Sequence, residues 1–175
     1  MKQKIFKYGL LAGSVIVLIP VITSWFIGTG PETFAIGEII GYSTMIVSLL
    51  LIFMAVNEYK QSQPERSVSF SKILMIGTGI SAIAGVMFGI YNWVYVTYIA
   101  PEFVDQYYNY YIENIRSSGA PQTEIDSSIA SLNEEKEMFM NPIVSFLAMF
   151  VSVFIVGLII SFFSAFTQSS KANDA

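Results

Sequence analysis

Few residues in this chain carry chemistry, and their placement is as informative as their type. Glu38 is the only acidic residue inside a long apolar run, one turn past its start. A carboxylate there either couples proton binding to transport or lies close enough to the membrane boundary to reach water. A depth of about 5 Å, from the helical rise, favours the second. Asn92 falls at a similar depth in a later apolar run. Its two amide functions need partners if buried, so Glu38 and Asn92 are expected to meet as an intramembrane polar pair.

The remaining carboxylates concentrate in one segment. Glu102, Asp105, Glu113, Glu124, Asp126, Glu134, Glu135 and Glu137 stand there against only Arg116 and Lys136. They lack the tight Asp/Asn/Gly spacing of a calcium loop and read as a solvated acidic face. The run Tyr107-Tyr108-Asn109-Tyr110-Tyr111 suits a headgroup, a glycan or a partner, and more simply an interfacial position against the membrane. Zero Cys and zero His exclude disulfides, thiolate or imidazole metal sites, His-ligated haem and Cys or His catalysis. Gly77-Thr78-Gly79 lies within an apolar run, without the strand-to-helix context of a phosphate-cradling loop. Neither a metal, another cofactor nor an enzymatic activity is expected. The acidic pI of 4.7 argues against a nucleic-acid partner.

The elements that must position these residues follow from composition. With 54% hydrophobic residues and a mean hydropathy of +0.59, the chain is too apolar for an ordinary soluble domain. Apolar stretches at about 8–27, 35–56, 73–99 and 143–166 each meet the ~20 residues needed to cross a hydrocarbon core. They are continuous rather than alternating, so helices are expected and barrel strands are not. The first stretch is too long for a signal-peptide core and continues through Trp25 and Phe26 without a small-residue cleavage pattern. The expectation is a single all-α domain over 1–175: an integral membrane four-helix bundle with an extracytoplasmic helical hairpin, about 101–141, between helices three and four.

Orientation follows from the basic residues. Lys2, Lys4, Lys7, Lys60, Arg66, Lys72 and Lys171 fall on one side of the spans, Arg116 and Lys136 on the other. Positive-inside bias then places both termini in the cytoplasm. Trp25, Tyr91, Trp93, Tyr95 and Tyr98 are expected at the outer interface, where amphipathic rings settle. The short Gly28-Thr29-Gly30-Pro31 connection makes the first two helices neighbours. In the acidic segment, Val104, Tyr108, Tyr111 and Ile115 recur at helical spacing, as do Ile125, Ile129 and Leu132. Thr123 with Asp126 reads as an N-cap pair, and Asn141-Pro142 as the break before the last span.

Small residues form the clearest pattern within the spans. Gly77, Ser81, Gly85 and Gly89 recur every fourth residue, as do Gly9 with Gly13 and Gly37 with Gly41. Such stripes allow close backbone approach; they are expected to pack the bundle internally, with a homo-oligomer seam as the alternative.

Several residues occur in an order that identifies a relative: Gly41-Tyr42 with Met45, Tyr59-Lys60, Ser69-Phe70, Pro101-Glu102-Phe103 and Asn141-Pro142. The chain resembles, over roughly Gly37 to Phe166, the bacterial four-helix membrane family catalogued as domain of unknown function 4199. The resemblance implies a small multi-pass protein of the bacterial inner membrane and transfers no activity. Ala55 stands where the family pattern has Gly, and Phe150 to Gly157 lacks the Glu and Pro that members often carry there. With lipid as its surroundings, the chain is expected to be a non-enzymatic interaction or accessory protein with a membrane-protein partner. The alternative is a small oligomeric transporter or channel.

Overall fold

A continuous apolar run in lipid has no water to satisfy its backbone, so it must close its own hydrogen bonds as a helix. The computed structural model, described here for residues 1–170, is helical throughout, with no strand among the described residues. In chain order come α1 (Lys2–Ile27), a short 3-10 turn at Pro31–Thr33, α2 (Phe34–Leu49) and α3 (Leu51–Gln61). They are followed by α4 (Phe70–Val94), α5 (Phe103–Arg116), α6 (Gln122–Phe139) and α7 (Pro142–Gln168).

Four helical stretches are long and apolar enough to cross a membrane: Lys2–Ile27, Pro31–Gln61, Phe70–Ile99 and Pro142–Gln168. They overlap the four apolar runs but extend beyond them at the end that carries the termini. There the helices continue through polar residues such as Lys4, Lys7 and Glu58, which hydropathy alone does not register. The second span combines α2 and α3, which are separated by a break at Leu50. The Leu50 N–H is shared between the Ile46 and Val47 carbonyls at 3.2 and 3.3 Å. Just before it, the Ser48 hydroxyl donates back to the Thr44 carbonyl at 2.6 Å, a local bond that bends helices. The third span ends in a wider π-type turn, Tyr95–Ile99, closed by the Ala100 N–H on the Tyr95 carbonyl at 2.8 Å ahead of Pro101.

α4 is the centre of the bundle: within an apolar stretch of 18 residues 44% are buried, against 17% in the corresponding stretches of α1 and α7. It packs on α1 on one side and α7 on the other, and α2–α3 closes the ring between α7 and α1. Ile16, Leu49, Ile52, Ile73, Ile76, Ile80 and Val153 fill the middle without exposure. Large apolar side chains such as Leu18, Ile39, Leu147 and Phe163 point outward, as a surface facing lipid should.

The small-residue stripe on α4 meets α7. A Cβ added at Gly85 or Gly89 would sit 3.0 Å from the backbone carbonyl of Phe150 or Phe146. Deeper in, Gly77 lies against Ser161, and Gly157 against Ser81. Both helices therefore carry the same Gly-x-x-x-Ser unit, and the two units interlock head to tail. Each serine hydroxyl bonds within its own helix, Ser81 to the Gly77 carbonyl at 2.8 Å and Ser161 to the Gly157 carbonyl at 2.6 Å. The hydroxyls are satisfied and the contact stays thin. On the other face of α4, Gly9 lies against Ile83 and Gly13 against Ala84 and Met87. Gly37 and Gly41 depart from the expectation, because no atom lies within 4 Å of a Cβ placed on either.

Substituting Gly157 or Gly77 with Val is expected to destabilise the bundle by about 1–3 kcal/mol through overpacking at the α4–α7 contact. Gly37→Val, by contrast, should cost less than about 1 kcal/mol. Equilibrium unfolding in mixed micelles compares the three.

Candidate functional site

The α5–α6 hairpin stands on one end of the bundle, and the polar residues of interest gather beneath it. Val104, Tyr108 and Ile112 form the buried stripe of α5, with Ile125 facing them from α6. Ile112 therefore takes the buried place that the sequence pattern assigned to Ile115. Gly119, at φ 73°, makes the turn between the two helices. Lys136 ties α6 to α5 through Asp105 at 2.6 Å and Asn109 at 3.3 Å. α6 begins at Gln122 with Pro121 in the cap position, two residues earlier than the Thr123 cap the sequence suggests. Asp126 instead accepts from the Gln122 amide at 2.9 Å. Asn141 does cap α7, its side-chain oxygen accepting from the Ile143 N–H at 3.0 Å, with Pro142 in the first helical position.

Glu38 does not meet Asn92. Its carboxylate accepts from the hydroxyls of Tyr107 and Tyr111, the latter at 2.8 Å, and so joins α2 to α5. Asn92 turns the other way and donates to the Ser145 hydroxyl at 2.5 Å, joining α4 to α7. The physical reason is registry. Tyr107 and Tyr111 are one turn apart and present two O–H donors together, and Ser145 lies directly opposite Asn92 in the antiparallel α4–α7 pair. The tyrosine run suits an interfacial position by its sequence; two of its members are instead the partners of the Glu38 carboxylate. Burial first, and then the Glu38 carboxylate, push the Tyr107 hydroxyl well above the ordinary tyrosine range, and Tyr111 is raised for the same reasons.

Around this group the rings close on Phe34, which is buried. Phe103, Tyr107 and Tyr110 lie 5.6, 5.7 and 5.6 Å from it between centroids. Tyr95 reaches the same cluster through Phe103 at 5.4 Å, and Tyr91 leads back to Tyr95 at 5.9 Å. Of the aromatic residues expected at the interface, Trp25 and Tyr98 are 89% and 69% exposed, and Trp93 is exposed too. Tyr91 and Tyr95 are half-buried and carry the hairpin.

At the opposite end lies a cluster that the sequence reading did not single out. Glu58 on α3 receives Lys4 at 2.9 Å, Lys7 at 3.2 Å and the Tyr8 hydroxyl at 2.7 Å, all from the first turns of α1. In the sequence Lys4 and Lys7 mark only orientation. Their i, i+3 and i+4 spacing with Tyr8 was the available signal. Nearby, Lys60 donates to the Gln168 carbonyl at the end of α7 at 3.1 Å. Lys171, also counted for orientation, lies outside the described residues. Glu38 and Glu58 are about 30 Å apart along the second span at 1.5 Å per residue, the thickness of a hydrocarbon core. Each end of that span therefore carries one carboxylate held by donors from another helix.

The acidic side chains of the hairpin are dispersed, and among the described residues no three carboxylates converge as a metal site requires. The DUF4199 profile, described as a protein of unknown function, matches residues 7–167. The chain belongs to the DUF4199 family. The match covers nearly all of the four spans and the whole hairpin, so the Glu38 cluster lies inside the DUF4199 region, as do Glu58, Lys7 and Tyr8, while Lys4 falls just before it. Among curated proteins and among solved structures, nothing matches the chain.

A double-mutant cycle separates the two polar contacts. Glu38→Gln with Tyr111→Phe should deviate from additivity by at least about 0.5 kcal/mol, and Glu38→Gln with Asn92→Ala should be additive. A second outcome concerns pH. A tyrosine whose folded-state pKa is raised stabilises fully below the unfolded value of about 10, and that contribution is lost as pH rises above it. Stability should thus decline above about pH 10, and Tyr107→Phe should flatten the decline, as read from denaturation midpoints across an alkaline series.

Proposed function

We propose that this DUF4199 protein is a non-enzymatic interaction or accessory protein of the bacterial inner membrane. It crosses the membrane four times, with both termini in the cytoplasm and the α5–α6 hairpin outside. The observation that carries this reading is how the polar groups of the spans are used. Glu38 is taken by Tyr107 and Tyr111, Asn92 by Ser145, and the deeper serines by their own backbone. The axis between α4, α7 and α3 is filled by apolar side chains and by the fully buried Ser81 and Ser161, whose hydroxyls are bonded to their own helices. Such a bundle suits a scaffold better than a route for a solute, since a route needs polar groups facing a cavity. What the scaffold holds outward is the hairpin, fixed to α2 and carrying exposed Glu113, Glu124, Asp126, Glu134, Glu135 and Glu137.

The seven-to-two asymmetry of basic residues supports the orientation. Transport by an oligomer is the competing reading, in which half-buried Glu38 would line a path between copies.

Affinity purification from native membranes in mild detergent, with mass spectrometry of intact complexes, tests the reading. A foreign membrane protein at fixed stoichiometry is the expected outcome, and its loss on deleting residues 103–139 would locate the contact on the hairpin. Recovery of a self-contained oligomer would instead favour transport.

A further inference from the structure

The hairpin-side half of the second span is packed unlike the rest of the bundle. Phe34, Glu38, Gly41, Met45 and Ser48 fall on one stripe of α2, at alternating spacings of four and three. Phe34, Met45 and Ser48 are buried, so the stripe faces inward. Yet a Cβ on Gly41 would meet nothing within 4 Å, whereas one on Gly9, Gly77, Gly85, Gly89 or Gly157 meets a neighbouring helix at 3.0 Å or closer. At Gly41 the inward face of α2 therefore touches no other helix between its two buried ends, although α2 also packs along α1.

Two further features bear on that gap. At the deep end is the Leu50 break, where a shared N–H and the Ser48 back-bond weaken one helical turn. Beyond it α3 is anchored, with Ile52, Ala55 and Val56 fully buried. At the shallow end are the two tyrosine hydroxyls on Glu38. Phe34 also touches α5, but through ring contacts that tolerate sliding; hydrogen bonds fix distance and direction. Among the described residues, the Glu38 bonds are the only side-chain hydrogen bonds between the α5–α6 hairpin and the spans.

We propose that α2 is a hinged segment: it pivots about Leu50, is held off the α4–α7 pair by the Glu38–Tyr107–Tyr111 latch, and closes over Gly41 when that latch opens. The hairpin and the bundle are coupled through this latch, so an event at the hairpin is felt inside the membrane. α2 is roughly 24 Å long at 1.5 Å per residue, so a tilt of ~15° at Leu50 moves its far end by about 6 Å. Anything that draws Tyr107 and Tyr111 away from Glu38 releases the segment, and filling the space at Gly41 blocks it.

The chain has no cysteine, so introduced pairs label without background. Spin labels at Ile39→Cys on α2 and Leu147→Cys on α7, both exposed positions, report the movement by double electron–electron resonance in proteoliposomes. The unmodified background should give one narrow distance. Glu38→Leu, and separately the pair Tyr107→Phe with Tyr111→Phe, should add a component shorter by about 4 Å, since Ile39 lies roughly 16 Å from the pivot. Adding Gly41→Leu to either should remove it. The tyrosine pair keeps the aromatic packing and so serves if Glu38→Leu does not fold. A distribution unchanged by opening the latch overturns the proposal, and so does a shorter component that survives Gly41→Leu.

Discussion

In hydrocarbon, an apolar side chain gains nothing by leaving lipid for another apolar side chain, so two helices stay together only where their surfaces fit. The contact between α4 and α7 meets that demand with very small groups. Gly77 receives Ser161, Gly157 receives Ser81, and farther along Gly85 and Gly89 let the backbone of α7 approach directly. α4 then has its other face free for α1, through Gly9 and Gly13, and the second span closes what remains. Placement of Asn92 opposite Ser145 is a by-product of the same register. So is the position of Asn141-Pro142, from which the hairpin returns to the membrane.

Polar groups are the second constraint, because a donor or acceptor without a partner in lipid costs several kcal/mol. Among the described residues, those with partners lie at three levels, and the Thr97 hydroxyl at the hairpin end of the third span is buried without one. One lies under the hairpin, around Glu38; one lies among the helix ends, around Glu58; and between them are hydroxyls bonded to their own helices. A carboxylate at each boundary of the second span, held by donors from other helices, sets the depth of that span without placing a charge at mid-membrane.

The four spans, the hairpin, the neighbouring first pair and the break at Asn141-Pro142 were legible because length, hydropathy and turn chemistry are local properties. The packing role of Gly77, Ser81, Gly85 and Gly89 was legible from spacing, although their partners were not. Gly157 and Ser161 repeat the same spacing, yet nothing in one chain says that two repeats face each other. Glu38 stood out by its solitude. Its partners did not, since depth placed Asn92 and Glu38 at one level but left open which way each faces about its helix axis. Lys4, Lys7 and Glu58 show the same limit: charge counting locates them at a boundary and is blind to whether they touch.

The interlocked Gly-x-x-x-Ser units have a consequence for assembly. They are identical, so each helix is a template for the other, but the match exists only when the two run in opposite directions. Copies of one chain inserted the same way present their third spans parallel, and in that arrangement the units fall out of register. Homotypic pairing of α4 through this stripe would first require α7 to leave it, since α7 already occupies Gly77, Gly85 and Gly89. Exchange of α7 between two copies preserves the antiparallel match, so the contact that seals one molecule is also the one by which two molecules can interpenetrate.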